Sequence, residues 1–134
     1  MNDDLKRYLD QFAAKAPAAG LDVRKPGQNW VPLAPVVRGS HISLSVAANQ
    51  IQVNLNNDDD VDRRKFDRLA AERAAIQSEI GEGLVWDKKD GRKKTVVRAT
   101  RDNGYADNDW DEQHRWALAM MKAFTSTFGR RLDA

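Results

Sequence analysis

The sequence has no cysteine among its 134 residues. Without thiols the chain can form neither a disulfide framework nor a thiolate zinc site. Only two histidines occur, His41 and His114, which is too few for a histidine-rich metal site. The start at Asn2, Asp3 and Asp4 is acidic and lacks the basic and apolar segments of a signal peptide. We therefore expect a bacterial-type cytoplasmic protein without a metal or other cofactor.

Long apolar runs and an excess of one charge are also missing. No run approaches the roughly 18 apolar residues that span a bilayer, so we expect no membrane association. Lys and Arg number 22 against 20 Asp and Glu, and a net charge of +2 does not by itself indicate nucleic acid. Hydrophobic residues make up 41% of the chain, enough for one core at this length. The composition predicts a single domain over residues 1–134.

Proline is confined to one segment. All four prolines lie within residues 17–40, which predicts a long surface loop. A loop of this length needs anchoring or a function. We expect its apolar residues to pin it against the body of the domain, namely Trp30, Val31, Leu33, Val36 and Val37.

Alternating polar and apolar residues predict two antiparallel hairpins. Residues 42–46 and 51–55 form the first, with a short connection at residues 47–50. Residues 84–86 and 95–100 form the second, around the Asp90-Gly91 turn. The whole pattern predicts an α+β fold with a four-stranded antiparallel sheet, helices on one face and the order α-ββ-α-ββ-α.

Three helices follow from apolar spacing and from their end signals. The first is capped by Asp3 or Asp4. The second begins at the run Asp58 to Asp60 and ends at Gly81. The third begins with a capping-box-like pair, Asp109 and Glu112, and ends at Gly129. The predicted buried stripes are Leu5, Tyr8, Leu9 and Phe12; Phe66, Leu69, Ala70, Ile76 and Ile80; and Trp110, Ala117, Met120, Met121, Phe124 and Phe128.

Several motifs together resemble a bacterial and archaeal domain of unknown function, family 4268, over about Leu5 to Leu132. The motifs are Phe66-Asp67-Leu69, Glu79-Ile80-Gly81, Leu84-Val85-Trp86, and a last helix carrying Trp110, Trp116, Phe124 and Phe128. Members of that family often follow a part similar to restriction-type nucleases. The resemblance implies a DNA-associated or defence setting, and it brings no catalytic residues with it.

Residue patterns for catalysis are missing. A restriction-type nuclease needs an Asp on one strand and a Glu-x-Lys on the next to hold a metal, and neither hairpin supplies them. The acid runs at residues 58–62 and 102–111 do not follow a calcium-loop pattern, so helix capping is the simpler interpretation. We expect His41 and His114 to be surface or edge residues. The sequence therefore predicts a protein that is not an enzyme.

The second hairpin carries five cations at its tip, and a sixth follows on the returning strand. Such tips bind phosphates without base-specific geometry. A solvated turn that resists aggregation is the simpler explanation of these cations, by a narrow margin, and needs no ligand. The predicted nucleic-acid-binding residues are Lys88, Lys89, Arg92, Lys93, Lys94 and Arg98.

The first hairpin presents a second candidate surface. Its polar residues should point away from the apolar ones and form a face of neutral donors and acceptors, namely Ser43, Ser45, Gln52, Asn54 and Asn56. The leading hypothesis is a module that binds DNA or RNA, or that supports a DNA-acting partner. The alternative is a protein-interaction or homodimerisation domain, because Trp30, Trp86, Trp110 and Trp116 are residues that interfaces favour.

Overall fold

A computed structural model describes residues 2–132 of the chain. The ends of the predicted domain, Met1, Asp133 and Ala134, lie outside the described residues. Within the described residues, four α-helices and five strands follow one another. They are α1 (Asp3–Lys15), β1 (Trp30–Pro32), β2 (Ser40–Val46), β3 (Ile51–Asn57), α2 (Arg64–Ala70), α3 (Arg73–Ile80), β4 (Val85–Asp87), β5 (Thr95–Arg101) and α4 (Trp110–Leu132), with a short 3-10 turn at Pro17–Ala19.

The fold is α+β, as predicted, but the sheet has five strands rather than four. The strand order is β1-β2-β3-β5-β4, and every neighbouring pair is antiparallel. The extra strand, β1, lies inside the segment predicted to be a loop. Its three residues include Pro32 and are too few for alternation to be visible, so only the pairing with β2 reveals it.

The outer edge of β1 is occupied by the chain that precedes it. The amide of Gly27 donates to the carbonyl of Trp30 at 2.8 Å, and the amide of Arg24 donates to the carbonyl of Pro32 at 2.8 Å. A bridge also joins Val23 to Leu33. The long segment is therefore fastened along the sheet edge and leaves β4 as the other edge strand.

One face of the sheet carries the core. Residues of all four helices pack with strand residues of this face only, because strands present alternate residues to opposite sides. The largest fully buried side chains include Tyr8, Phe12, Phe124, Phe128, Ile42, Leu44, Ile51, Leu55, Leu69, Ile76 and Met121. We call this the covered face, and the opposite side the open face.

The predicted second helix is two helices. The chain turns at Ala71 and Glu72, between α2 and α3. Leu69 and Ile76 are both fully buried, but the turn between them carries Glu72 and Arg73, which are exposed. The one apolar residue of that turn, Ala71, is small and exposed, so a continuous helix would bury little apolar surface there. Gly81 ends α3 in the left-handed conformation at φ 89°, as predicted.

All three predicted helix starts differ from the structure. The second helix begins at Arg64 rather than at the run Asp58 to Asp60. Asn2 caps α1, since its side-chain oxygen accepts from the amides of Asp4 and Leu5. At α4 the carboxylate of Asp109 accepts from the side chains of Asn103 and Arg101 instead of closing a capping box. The predicted stop at Gly129 is also wrong, because α4 continues to Leu132.

Candidate nucleic-acid interface

The tip of the second hairpin spans residues 88–94, between β4 and β5. The carboxylate of Asp87 accepts the amide of Lys89 at 3.0 Å, and the carbonyl of Lys89 accepts the amide of Arg92 at 2.9 Å. Lys89 and Gly91 both have positive φ, 53° and 80°. Glycine adopts that conformation freely, whereas at Lys89 the surrounding hydrogen bonds must hold it.

Arg63 fixes this turn to the body of the domain. Its guanidinium donates to the carbonyls of Lys89 and Arg92 and to the carbonyl of Asp60, each at 2.8 Å. Planar guanidinium groups suit such multiple contacts because their donors are rigidly spaced. The tip is therefore held by hydrogen bonds on its backbone, which leaves the side chains of Arg92, Lys93 and Lys94 available.

Asp60 joins the tip to the start of α2. Its side chain is buried and accepts from the amides of Lys65 and Phe66 at 3.0 Å each, and from the hydroxyl of Thr95 at 2.8 Å. Its own amide donates to the carbonyl of Lys93 at 2.7 Å. The predicted role of the acid run in accepting hydrogen bonds from helix-start amides is thus confirmed. Within the run, Asp60 makes the hydrogen bonds that link the start of α2 to the tip and to β5.

A polar row continues from Asp60 across the sheet. Ser40, Asn57 and Thr95 are register partners on three neighbouring strands and are all buried. The Ser40 hydroxyl donates to Asn57 at 2.8 Å, and the Asn57 amide donates to Thr95 at 3.2 Å. This polar row borders the apolar core at the end of the sheet nearest the tip. Its hydrogen bonds link β5, which directly follows the tip, to β3 and β2.

The six predicted binding residues divide into two groups. Lys88 pairs with Asp67 at 3.2 Å and lies over the ring of Phe66. Lys89 and Arg98 both pair with Asp87, at 3.5 and 3.3 Å. Arg92, Lys93 and Lys94 are exposed, and in residues 2–132 their side chains have no acidic partner. Half of the predicted cations are therefore already paired with acids.

Asp87 is held ionised by its neighbours. Burial acts to raise its pKa, but the hydrogen bond from the Lys89 amide and the charges of Lys89 and Arg98 outweigh burial, so the pKa lies below its usual value. Because Lys89 and Arg98 share this one carboxylate, the base of the tip keeps one positive charge. The cations of the tip without an acidic partner in residues 2–132 are Arg92, Lys93 and Lys94.

The register confirms that the polar residues of the first hairpin point away from the core, but Ser43 and Asn54 are only 5% and 6% exposed, so the face is exposed only in part. Ser43 pairs with Asn54, and Ser45 pairs with Gln52, while the apolar residues between them face the core. The Asn54 amide donates to the Ser45 hydroxyl at 3.0 Å, and the Asn56 amide donates to the Ser43 hydroxyl at 3.0 Å. The amides on the open face are thus held in defined orientations.

Two further strands extend this face beyond the predicted set. β1 contributes Trp30, in the same row as Ser45, Gln52 and Thr100, and β5 contributes Arg98 beside Asn54. Val96, only 3% exposed, lies on the open face and outside the core cluster. The sequence showed no aromatic residue on this face because strand β1 was not recognised.

Trp30 is 42% exposed, unlike the buried anchors Val31 and Leu33. Its indole lies against Gly27, where an added Cβ atom would fall 2.0 Å from the ring nitrogen. The other three tryptophans are half-buried. Gly27 therefore seats the ring at the edge of the open face, and the loop anchoring expected of Trp30 is carried out by Val31 and Leu33.

The two histidines have opposite environments. His41 lies on the open face, and its Nδ1 is 2.8 Å from a carboxylate oxygen of Asp58. His114 was expected at the surface, but it is fully buried between the rings of Tyr8 and Phe12. Its apolar neighbours on α1 could not be paired with α4 from sequence spacing alone.

His114 is held neutral. Burial, followed by the positive charge of Lys15, lowers its pKa to about 4. The Lys15 ammonium lies 2.8 Å from His114 Nδ1 and pairs with Asp111 at 2.8 Å. An ammonium can only donate, so Nδ1 accepts and Nε2 carries the proton. In residues 2–132 no group lies in good hydrogen-bond geometry with Nε2, and the Tyr8 backbone has only a minor effect that favours the protonated ring.

Comparison with known proteins begins with the family. A family model described as "Domain of unknown function (DUF4268)" matches residues 5–132. The chain belongs to the DUF4268 family. The predicted resemblance is thereby confirmed over the predicted range. No curated protein has a sequence that matches this DUF4268 chain.

The DUF4268 domain is also similar in fold to a solved structure, YbjN from E. coli, described as "a putative transcription regulator". The TM-score is 0.56 at 14% identity, over 93% of this chain and 91% of that one. At this identity the likeness concerns the fold alone.

Two further findings concern other classes of site in the DUF4268 domain. No helix in residues 2–132 has both the length and the apolar character needed to cross a bilayer. Within the same residues, no three His, Cys, Asp or Glu side chains lie together in a way that could hold a metal ion.

Proposed function

We propose that this domain is a non-catalytic module that binds nucleic acid through phosphate contacts at the tip of its second hairpin. The observation that carries the proposal is the group of unpaired, exposed cations at Arg92, Lys93 and Lys94, presented on a backbone that Arg63 holds in place. Ordering the turn before binding lowers the entropic cost of association. The fold similarity to YbjN, described as "a putative transcription regulator", is compatible with this role.

Phosphate contact at such a tip is independent of base sequence. Arg92, Lys93 and Lys94 outnumber the one exposed acid of the tip, Asp90, and the nearest aromatic rings, Phe66 and Trp86, are buried or half-buried and pack edge to face. Lysine and arginine displace counterions from the backbone, and each phosphate contact contributes about 0.9 to the slope of log affinity against log salt. The domain should therefore bind mixed sequences and lose affinity steeply as salt rises.

The test is a salt titration of binding with fluorescently labelled DNA and RNA oligonucleotides of mixed sequence. Exchanging Lys93 and Lys94 for Gln should lower the salt slope by about 2, since two phosphate contacts are lost. The matched control exchanges Lys25 and Lys122 for Gln, which removes the same charge at two other exposed lysines that have no acidic partner in residues 2–132. A pair of titrations with equal slopes would contradict the proposal.

A second candidate function, protein interaction or oligomerisation, is favoured by the edge strand β4. Val85 is 44% exposed at that edge and shares the open face with Arg98. Sedimentation at several protein concentrations tests it directly. A mass that stays monomeric, for both the native chain and the Val85→Lys variant, would argue against self-association through β4.

A further inference from the structure

We infer that the open face binds single-stranded nucleic acid, with a base stacked on Trp30. This inference rests on the proposed function and names the class of nucleic acid it concerns. Trp30 is the one exposed aromatic side chain in residues 2–132. Base stacking on an aromatic ring is the common means by which proteins hold unpaired bases.

The ring is fixed before any ligand arrives. Gly27 has no side chain, and the indole of Trp30 occupies the position that a Cβ atom there would take. The amide of Gly27 also donates to the carbonyl of Trp30, so the same residue holds backbone and ring together. A ring seated in this way loses little freedom when a base stacks on it.

Beside Trp30 the face offers groups suited to base edges. Gln52 lies in the same row, Arg98 lies in the next one, and both are half-buried. Asn56, also half-buried, donates to the hydroxyl of Ser43, and its side-chain oxygen accepts no bond in residues 2–132. Amides can both donate to and accept from the edges that unpaired bases expose.

The dimensions of the sheet exclude base reading in a duplex. Five strands about 4.8 Å apart give a face about 19 Å wide, whereas the major groove of B-form DNA is about 12 Å wide. A duplex can therefore reach the cations of the tip but cannot place its bases on the face. A single strand that crosses the face diagonally can use both surfaces, because the tip adjoins the start of β5 and the row of Trp30 includes Thr100 near the end of the same strand.

Charge assigns different parts of the strand to the two surfaces. On the open face Arg98 is paired with Asp87, and His41 faces Asp58, so the face is close to neutral and suits bases. Unpaired positive charge lies at Arg92, Lys93 and Lys94, where phosphates are attracted. Because the charge is separated in this way, we expect the bases of a single strand to bind the open face and its phosphates to bind the tip.

The experiment measures binding of single-stranded and duplex oligonucleotides of the same mixed sequence to the native chain and to Trp30→Ala. One stacked base contributes about 1 to 3 kcal/mol, so the variant should bind the single strand at least about fivefold more weakly. Duplex binding should be unchanged. Tryptophan emission should also fall when the native chain binds a single strand, and this quenching should be much smaller in the variant.

Val61→Ala is the matched control, since Val61 is 65% exposed and lies outside the sheet. It should bind both oligonucleotides like the native chain. Equal single-strand affinity of Trp30→Ala and the native chain would overturn the inference. If the Lys93 and Lys94 exchange still lowered the salt slope, the proposed function would stand without it.

Two other outcomes also contradict the inference. If the native chain bound neither form, both the inference and the proposed function would fail. If Trp30→Ala instead abolished a dimer seen by sedimentation, the ring would belong to a protein interface.

Discussion

Two polar networks close the core at opposite ends of the sheet, and they work differently. At the tip end a buried carboxylate, Asp60, has its oxygens occupied by two amides and a hydroxyl. At the other end the buried groups are neutral: the Tyr8 hydroxyl donates to Gln113 at 2.7 Å, and Gln113 donates to the carbonyl of Gly104 at 3.0 Å. His114 stands beside them with one nitrogen unpartnered.

The two networks should therefore respond differently when a buried charge is removed or added. The network around Asp60 depends on a charge whose partners are all in place, so removal of that charge should be costly. The network around His114 depends on the absence of a charge, because Lys15 already places one beside it. Burial likewise raises the pKa of the Tyr8 hydroxyl above its usual value, which keeps that group neutral.

The largest expected effect is that of Asp60→Ala. The change leaves two amides and a hydroxyl without their acceptor at a buried position, and each unsatisfied group costs about 1 to 3 kcal/mol. We expect the free energy of unfolding, measured in urea, to fall by about 3 to 5 kcal/mol. Asp59→Ala is the control, since the neighbouring Asp59 is exposed. Equal stability of the two variants would show that the network does not depend on Asp60.

The second prediction concerns the pH dependence at the opposite end. His114 has a pKa of about 4 in the folded protein, against 6.5 as its ordinary value. The unfolded chain therefore binds a proton first as pH falls, and stability should decrease from about pH 6.5 until it levels near pH 4. The loss attributable to this group is about 3 kcal/mol at most.

Urea unfolding across this pH range measures the effect. In His114→Gln the decrease should be much smaller, whereas His41→Gln, which alters the exposed histidine, should keep it. A His114→Gln variant with the native pH profile would mean that other groups cause the decrease.

The smallest of the three effects is expected for Arg63→Gln. The change removes the guanidinium that donates to the carbonyls of Asp60, Lys89 and Arg92, and should cost about 1 to 2 kcal/mol. Amide exchange at Lys89 and Arg92 should become faster, since both amides belong to the turn that Arg63 holds.

Arg64→Gln provides the comparison, because Arg64 is highly exposed and lies 3.6 Å from Asp62. It should change stability by less than about 0.5 kcal/mol. Unaltered exchange at Lys89 and Arg92 in Arg63→Gln would show that the tip holds its shape without this residue.

Short-range chemistry made much of the fold predictable. Alternation identified both hairpins, and Gly81 marked a helix end, because these signals act within a few residues. Strand β1 and the break between α2 and α3 were missed. Strand β1 has three residues, which are too few for alternation to be visible. The break between α2 and α3 depends on which helical turns pack against the apolar core, and local sequence does not show this.

The ion-pair partners and the burial of the candidate site residues depend on contacts between distant parts of the chain, so they could not be predicted from the sequence. The cations of the tip were visible in the sequence, but their partners were not, since Asp67 lies 21 positions before Lys88. The acid run suggested helix capping without showing that Asp60 is the buried member. His114 has no local signal for burial, because the rings around it belong to α1, about a hundred residues earlier.

The chain fastened along β1 has a consequence for assembly. Backbone groups of Trp30 and Pro32 on that side already bond to Gly27 and Arg24, so a second sheet cannot add there. β4 is the edge without such a cover, and joining sheets through it would bring two copies together as β4 against β4. Pairing of sheets through β4 would stop at two copies, because the other edge of each sheet is already covered. Such pairing therefore could not extend the sheet into a fibre.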